Sequence, residues 1–285
     1  MAHKSKMSGW KRRIKLAALV LMILLLTSWL ANTLFVEFTT KHSTGHENNA
    51  LTIMTYNLHG YEAIDGYQPA IELITSINPD ILVLQEAIPI LYQNKTIDPV
   101  AILRQQLGLY HYGQLSFEQS TAAGVAILSR YPIVNEYLVE LGGYDVYIKY
   151  LVVTTIATPQ GNLTVTGTHL ELPTHPTMQK QQAERILKEL DTHDDMLLLC
   201  DCNAPDVLVN PVYRRLASHL QDAWIADGHH AWQGNTWPAE NPYLRVDYIW
   251  YKGTIGIVDG SVHRVGSDNA SDHLGLVAKI SVISS

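Results

Sequence analysis

Cysteine is nearly absent: the 285 residues contain two, Cys200 and Cys202, one residue apart in an apolar run that reads as a strand. Two cysteines build no disulfide framework, and a bond between such near neighbours is sterically unfavourable in an extended strand. No further cysteine could complete a metal or redox centre, so the pair reads as two small, unbonded strand residues facing away from any site. A Gly-x-Ser-x-Gly nucleophile elbow and a glycine-rich phosphate loop are also missing. That removes the signatures of an acyl-enzyme hydrolase and of a nucleoside-triphosphate cradle. Internal repeats and low-complexity tracts are absent as well.

Positive charge is scarce where a polyanion-binding domain would need it. Of 20 basic and 27 acidic residues, positions 1–49 hold seven Lys or Arg and two acids, Glu37 and Glu47, leaving the rest of the chain with 13 basic and 25 acidic residues, net −12. Such a domain has no overall field to attract duplex DNA, so nucleic-acid binding would require a local basic groove or a bound metal.

The N-terminus is basic (Lys4, Lys6, Lys11, Arg12, Arg13, Lys15) and is followed by LAALVLMILLLTSWLANTLFV, 21 residues from Leu16 to Val36 without a charge. That length spans a bilayer as a helix, and the preceding Lys and Arg residues place the N-terminus in the cytoplasm and the chain beyond Val36 outside it. A cleaved signal peptide is the rival, but its small-x-small cleavage pattern is poor, with Trp29 two before Ala31 and Leu26 two before Ser28. The organisation expected is a basic tail over 1–15, a single-pass anchor over 16–36, a polar linker over 37–50 and one catalytic domain over 51–285.

From Leu51 short apolar strands alternate with amphipathic helices. Strands are expected near 51–56, 81–85, 124–129, 146–157, 162–168, 196–200, 246–251 and 273–281, and helices near 68–77, 98–107, 176–190 and 210–218. The turn Pro159-Gln160-Gly161-Asn162 joins two strands too tightly for a crossover, so a mixed sheet is implied, and two packed sheets suit this many strands.

Polar residues interrupt this framework at strand ends, where open α/β sheets place their sites. Asn57 ends LTIMTYN, Glu86 ends DILVLQE and His169 ends NLTVTGTH; Asp201 and Asn203 follow MLLLC, Asp247 lies in RVDYIW, and Asp272-His273 opens the last strand. Any one alone reads as a cap or surface group. Together they supply what metal-assisted phosphoester hydrolysis needs: hard carboxylate oxygens, two imidazoles and amides to orient a tetrahedral centre.

TYNLHG (55–60), LVLQE (82–86), GVAILSRYPI (124–133), GTHLEL (167–172), LCDCNAP (199–205), RVDYIW (245–250) and SDHLGLVA (271–278) resemble, in order, the motifs of the endonuclease/exonuclease/phosphatase superfamily. The resemblance covers residues 51–281. It implies a four-layer α-β-β-α sandwich of two packed mixed β-sheets and a hydrolase using Mg²⁺ or Mn²⁺. On the matching positions, Asn57, Glu86 and Asp272 would be metal residues. His169, Asp201, Asn203, Asp247 and His273 would be catalytic, with Asn203 and His169 also contacting phosphate. Asp247 would fix the tautomer of His273. Two departures are Cys200 where the family has glycine before Asp-x-Asn, and only small groups at Ser120-Thr121-Ala122-Ala123-Gly124, which makes a deoxyribonuclease-like site less secure.

The substrate expected is a phosphoester, favoured as a lipid or head-group phosphodiester; DNA or RNA is the alternative, and an inactive binding module on the same fold a second one. No protein partner is expected. Two features have competing readings: Trp224, Trp232, Trp237 and Trp250, with His229, His230 and Tyr243, form either a substrate- or bilayer-facing loop or a satellite core. His59, just past Asn57, could approach the site but as a lone histidine near a turn reads as structural, and Asp247 could pair with Arg245 at the surface instead of with His273.

Overall fold

The computed structural model describes residues 50–113, 124–144, 147–206 and 210–282. The expected anchor Leu16–Val36, the linker before residue 50 and the small residues 120–123 lie outside them. Among the described residues no helix is long and apolar enough to cross a membrane.

Among the described residues, fifteen strands and five α-helices follow in chain order. They are β1 (Leu51–Asn57), α1 (Gln68–Ile77), β2 (Ile81–Gln85), β3 (Ile90–Tyr92), β4 (Lys95–Ile97), α2 (Pro99–Leu107), β5 (Tyr110–Gly113), β6 (Ala126–Ser129), β7 (Ile133–Tyr144) and β8 (Tyr147–Thr158). Then come β9 (Gly161–His169), α3 (Pro176–Leu190), β10 (Met196–Asp201), α4 (Pro211–Ala217), β11 (Gln221–Asp222), α5 (Ala223–Ala226), β12 (Asp247–Lys252), β13 (Ile255–Ile257), β14 (His263–Val265) and β15 (Gly275–Val282).

One sheet runs β13-β15-β1-β2-β6-β5, with β14 also on β15; the other runs β11-β12-β10-β9-β8-β7. Both are mixed: β1 pairs β2 in parallel and β15 antiparallel, while β10 pairs β9 in parallel and β12 antiparallel. The period of two along the strands decides the layering. Ile53, Ile81, Val83 and Ile127 point into the core shared by the two sheets, whereas their neighbours Met54, Leu82, Leu84, Ala126 and Leu128 pack with α1 and α2. Helices α3 and α4 cover the other sheet, α3 burying Gln179, Gln182, Ala183, Ile186, Leu187 and Leu190 at helical spacing. The result is the α-β-β-α sandwich. Each fully buried aliphatic side chain contributes roughly 1.5–3 kcal/mol.

Helix ends follow local chemistry. In α2, Asp98 accepts from the Ala101 amide at 3.0 Å, Pro99 occupies the first turn, and Gly108 closes the helix in the left-handed region.

The short strands β3, β4, β5, β13 and β14 and the long edge strand β7 carry no clear apolar alternation and lie outside the strands expected. β7 is half-exposed and has register shifts at Ile133/Asn135 and Glu140/Gly142. An edge strand with one wet face and bulges need not show a period-two pattern. The expected turn after Thr158 is present, with Thr158 opposite Gly161.

Cys200 and Cys202 are disulfide-bonded, contrary to the expectation. The steric objection assumed an extended strand; β10 ends at Asp201, and the turn beyond it brings the Cα atoms to 5.2 Å, inside the usual disulfide range. Both sulfurs face the core, so the orientation away from the site holds.

Candidate active site

Strands β1, β2, β9 and β10 end at one pole of the sandwich, where β12 and β15 begin. Register does the assembling: Asp201 lies opposite His169 on one side and Asp247 on the other. The facing sheet delivers Asn57 and, one residue past β2, Glu86. The Glu86 turn is tightly held. Its φ is +52°, and a Cβ on Gly60 would lie 2.0 Å from the Glu86 carbonyl oxygen, while one on Gly124 (φ +66°) would lie 2.6 Å from the Ala87 amide. Both glycines are required for the chain to pass this close. His59 and Asn203 also have left-handed backbone, a concentration of strained residues typical of functional sites.

Asp201, 1% exposed, is the hub. It accepts from Asn57 Nδ2 at 2.9 Å and from the Asn203 amide at 3.0 Å. Its Oδ2 lies 3.4 Å from His169 Nε2 and 3.7 Å from His273 Nε2. Asn57 Nδ2 also reaches Glu86 Oε1 at 3.3 Å, while its Oδ1 accepts from the His59 amide. Asn57 therefore bridges two carboxylates as a donor. Asn203 Nδ2 donates to the Leu170 carbonyl and to His169 Nε2, each at 3.1 Å. The Asn203 contact to His169 is a hydrogen bond when the imidazole proton sits on Nδ1. That Nδ1 is buried without a hydrogen-bond partner.

Asp247 Oδ2 accepts from His273 Nδ1 at 2.9 Å. The alternative pairing with Arg245 is ruled out: that guanidinium is buried against Asp206 and Asp222 and under the rings of Tyr213 and Tyr248. Arg245 precedes β12, so it does not share the strand face assumed for it. Ser271 adds a support outside the expected set, taking the His273 amide and donating to the Asn57 carbonyl at 2.7 Å.

Burial and neighbouring charge separate the titrating groups. Asp201 is pushed up to about 7, first by burial and then by Asp247, against the lowering effects of His273, Asn57 and Asn203. Burial lowers His273, but Asp247 and Asp201 outweigh it and raise the imidazole to about 10. His169 is driven well below its ordinary value by burial, then by Lys149 and His273, and is neutral.

These groups line a cavity of about 610 Å³. Its polar floor (Glu86, His169, Asp201, Asn203, Asp272, His273) adjoins an apolar wall of Leu170, Leu172, Pro173, Trp237, Leu244 and Val246. Among the lining residues not foreseen as site residues are Lys149, His59 and Trp237. Lys149, on β8, is mostly buried. His59 places Nδ1 3.5 Å from Asp272 Oδ1, and Trp237 donates its indole N–H to Asp272 Oδ2 at 3.1 Å. A lysine inside an apolar strand and a histidine in a turn carry no sequence period that would single them out. The aromatic segment divides: Trp224 and Trp250 are core, Trp237 lines the cavity, and Trp232 and Tyr243 are exposed.

The donor set fits a divalent cation. Asp201, Asp247 and His273 offer ligand atoms within 4.8 Å of one another. Asp247 Oδ1 and Asp272 Oδ1 are buried without a hydrogen bond. Imidazoles approach Glu86, Asp201, Asp247 and Asp272 within ion-pair distance. Buried carboxylate oxygens without a hydrogen bond suit a compensating cation.

A family model described as the endonuclease/exonuclease/phosphatase family matches residues 54–273. An endonuclease/exonuclease/phosphatase structure from Beutenbergia cavernae is 22% identical, with 83% of this chain and 72% of that chain covered and a TM-score of 0.61. The structure of D. rerio TDP2 complexed with single strand DNA product is 16% identical over 82% of this chain and 100% of that one, TM-score 0.68. A Bacteroides thetaiotaomicron endonuclease/exonuclease/phosphatase family protein is 14% identical over 81% and 94%, TM-score 0.61. At these identities the likeness establishes the fold. No curated protein matches the sequence.

Proposed function

Because the chain belongs to the endonuclease/exonuclease/phosphatase family, whose members are divalent-metal-dependent phosphoric ester hydrolases, we propose that it hydrolyses a lipid or head-group phosphodiester by direct attack of water. The observation that carries this reading is the convergence of Asn57, Glu86, His169, Asp201, Asn203, Asp247, Asp272 and His273 at one pole, with Asp201 at its centre.

Mg²⁺ or Mn²⁺ held by Asn57, Glu86 and Asp272 would supply Lewis-acid stabilisation of phosphoryl oxygens. The protein's own groups do the rest. Asp247 holds the His273 imidazole through Nδ1, so Nε2 faces Asp201 and the cavity. Asp201, raised towards neutrality, is suited to accept a proton from the attacking water. His169 presents an unpartnered Nδ1–H to a phosphoryl oxygen, and Lys149 adds the positive charge. Asn203 keeps His169 in that tautomer.

A lipid or head-group ester is favoured by the cavity's apolar wall and by the net −12 outside residues 1–49. The uncharged run Leu16–Val36 supports a single-pass anchor with the domain outside the cytoplasm, and the Cys200–Cys202 bond suits an oxidising compartment. Nucleic-acid hydrolysis is the second reading, supported by the similarity to a structure that holds a single-strand DNA product. An inactive binding module would leave the buried Asp247 and Asp272 oxygens without a purpose.

The test is the full chain with Mg²⁺, Mn²⁺ or EDTA against sphingomyelin, lysophospholipid, phosphoinositides, plasmid DNA and RNA. Hydrolysis of a lipid, abolished by EDTA, is expected. Cleavage of nucleic acid alone would replace this reading with the second, and no hydrolysis of any substrate would favour the binding module.

A further inference from the structure

We propose that the pocket pole of the domain docks on a zwitterionic lipid surface, with Leu172 and Tyr243 as the side chains that enter it. The inference rests on the anchored lipid-phosphodiesterase reading and adds an orientation and a contact surface.

Leu172 is 52% exposed and lines the cavity on the loop after β9. Tyr243 is 59% exposed, on the loop that supplies Trp237 and Leu244 to the same cavity, and its ring meets Trp237 edge-on at 5.9 Å. Each is therefore the outward continuation of the apolar wall. An apolar lip joined to an apolar wall, above a polar floor, lets the scissile phosphate reach Asp201 while apolar parts of the lipid stay out of water. An aromatic ring with a polar tip, such as Tyr243, suits the head-group region.

The length and attachment point of the N-terminal chain decide whether this pole can reach a bilayer. β1 begins at Leu51 and ends in the site at Asn57, so the preceding chain joins the domain at the opposite pole. The seven residues of β1 span roughly 23 Å at about 3.3 Å per residue. The 14 residues 37–50 can extend to roughly 46–50 Å at about 3.3–3.6 Å each, about twice that length. The tether is long enough for the domain to turn its pocket towards the membrane. The tethered pole is mostly polar: Asp80 binds Arg130 and the Thr52 amide, Gln160 binds the Val282 amide and Asp195 binds the Thr254 amide. The large apolar side chains it exposes among the described residues are Val134 on β7 and Tyr110 on β5, the latter opposite Ser129 at the end of β6. Net charge chooses the lipid, since a domain at −12 is repelled by an anionic surface.

The experiment compares the two poles. The full chain carrying Tyr243→Cys or Val134→Cys, with the Cys200–Cys202 bond intact, is labelled with an environment-sensitive fluorophore and reconstituted into phosphatidylcholine vesicles containing nitroxide-labelled lipid. We expect at least twofold quenching at position 243 and none at 134, with quenching at 243 reduced when anionic lipid is added. Quenching at 134, or none at 243, would overturn the proposal. Leu172→Glu and Tyr243→Glu should lower, at least tenfold, the ratio of the rate on a vesicle lipid to the rate on soluble bis(p-nitrophenyl) phosphate; an unchanged ratio also overturns it. If the parent chain cleaves neither ester, the phosphodiesterase reading falls, and the quenching result still decides the docking.

Discussion

The His273 imidazole donates from Nδ1 to Asp247 Oδ2 at 2.9 Å, a buried contact between residues 26 positions apart. Asp247 is fixed by its register opposite Asp201, and His273 by its backbone bond to Ser271. The pair therefore works as a unit that aims Nε2 at the Asp201 carboxylate, 3.7 Å away.

Asp247→Asn and His273→Ala should each lower kcat by about two to four orders of magnitude with much less effect on KM, the range of a general acid–base group. The double variant should be scarcely worse than either single one, because groups acting together are not additive. Multiplicative losses in steady-state kinetics would show that they act independently.

The Arg245 guanidinium is a structural centre and should separate stability from chemistry. Arg245→Met leaves the Asp206 and Asp222 carboxylates buried without their cation, a loss of about 3–5 kcal/mol for a broken buried pair. Urea denaturation should show this as a lower midpoint. At temperatures where the variant is folded, hydrolysis should persist.

The position of Asp201 gives metal-free protein a pH signature. The carboxyl is raised to about 7 in the folded chain from an ordinary 3.8, so across that window the folded state keeps a proton that the unfolded state has lost. Its contribution is complete below pH 3.8 and is lost as pH rises through about 7. In EDTA, Asp201→Asn should therefore be more stable than the parent at pH 8, with the gap closing towards pH 4. Calorimetric melting curves that keep the two proteins parallel across that range would contradict this.

Lys149 is the only lysine or arginine among the described residues lining the cavity. Burial pushes its ammonium down, opposed by Glu171, Asp201 and Glu86. A charge-assisted contact to phosphate contributes about 1.5–3 kcal/mol, so Lys149→Met should reduce kcat/KM by about ten- to a hundredfold, and Lys149→Arg should recover most of it. Equal activity in all three proteins would remove Lys149 from substrate binding.

Much of this arrangement was legible in the sequence because strand ends are punctuated by polar residues. Asn57, Glu86, His169, Asp201, Asp247 and His273 each interrupt an apolar run, and the structure brings all six together. Helices α1 and α3 were readable from their apolar spacing to the residue. Legibility failed where contacts, not periods, set the outcome. Lys149 looks like any strand residue until β8 is placed beside β9. The disulfide depended on where β10 ends, and boundaries are the weakest part of a pattern reading. Trp224 and Trp237 lie in one aromatic segment, yet one fills the core and the other binds Asp272. Asn203, expected to hold phosphate, places its Nδ2 3.1 Å from both the Leu170 carbonyl and His169 Nε2, contacts that no strand pattern announces.

The most direct test of the account is metal-dependent turnover of bis(p-nitrophenyl) phosphate by the full chain and by Glu86→Gln, each freed of metal with EDTA and titrated with Mg²⁺ and Mn²⁺. The parent should be inactive without metal and regain hydrolysis on either titration. The variant, lacking one hard ligand, should remain folded by circular dichroism and lose activity by two or more orders of magnitude or require far more metal. Turnover in EDTA, or identical metal titrations for the two proteins, would contradict the assignment of this site as a metal-dependent phosphodiesterase centre.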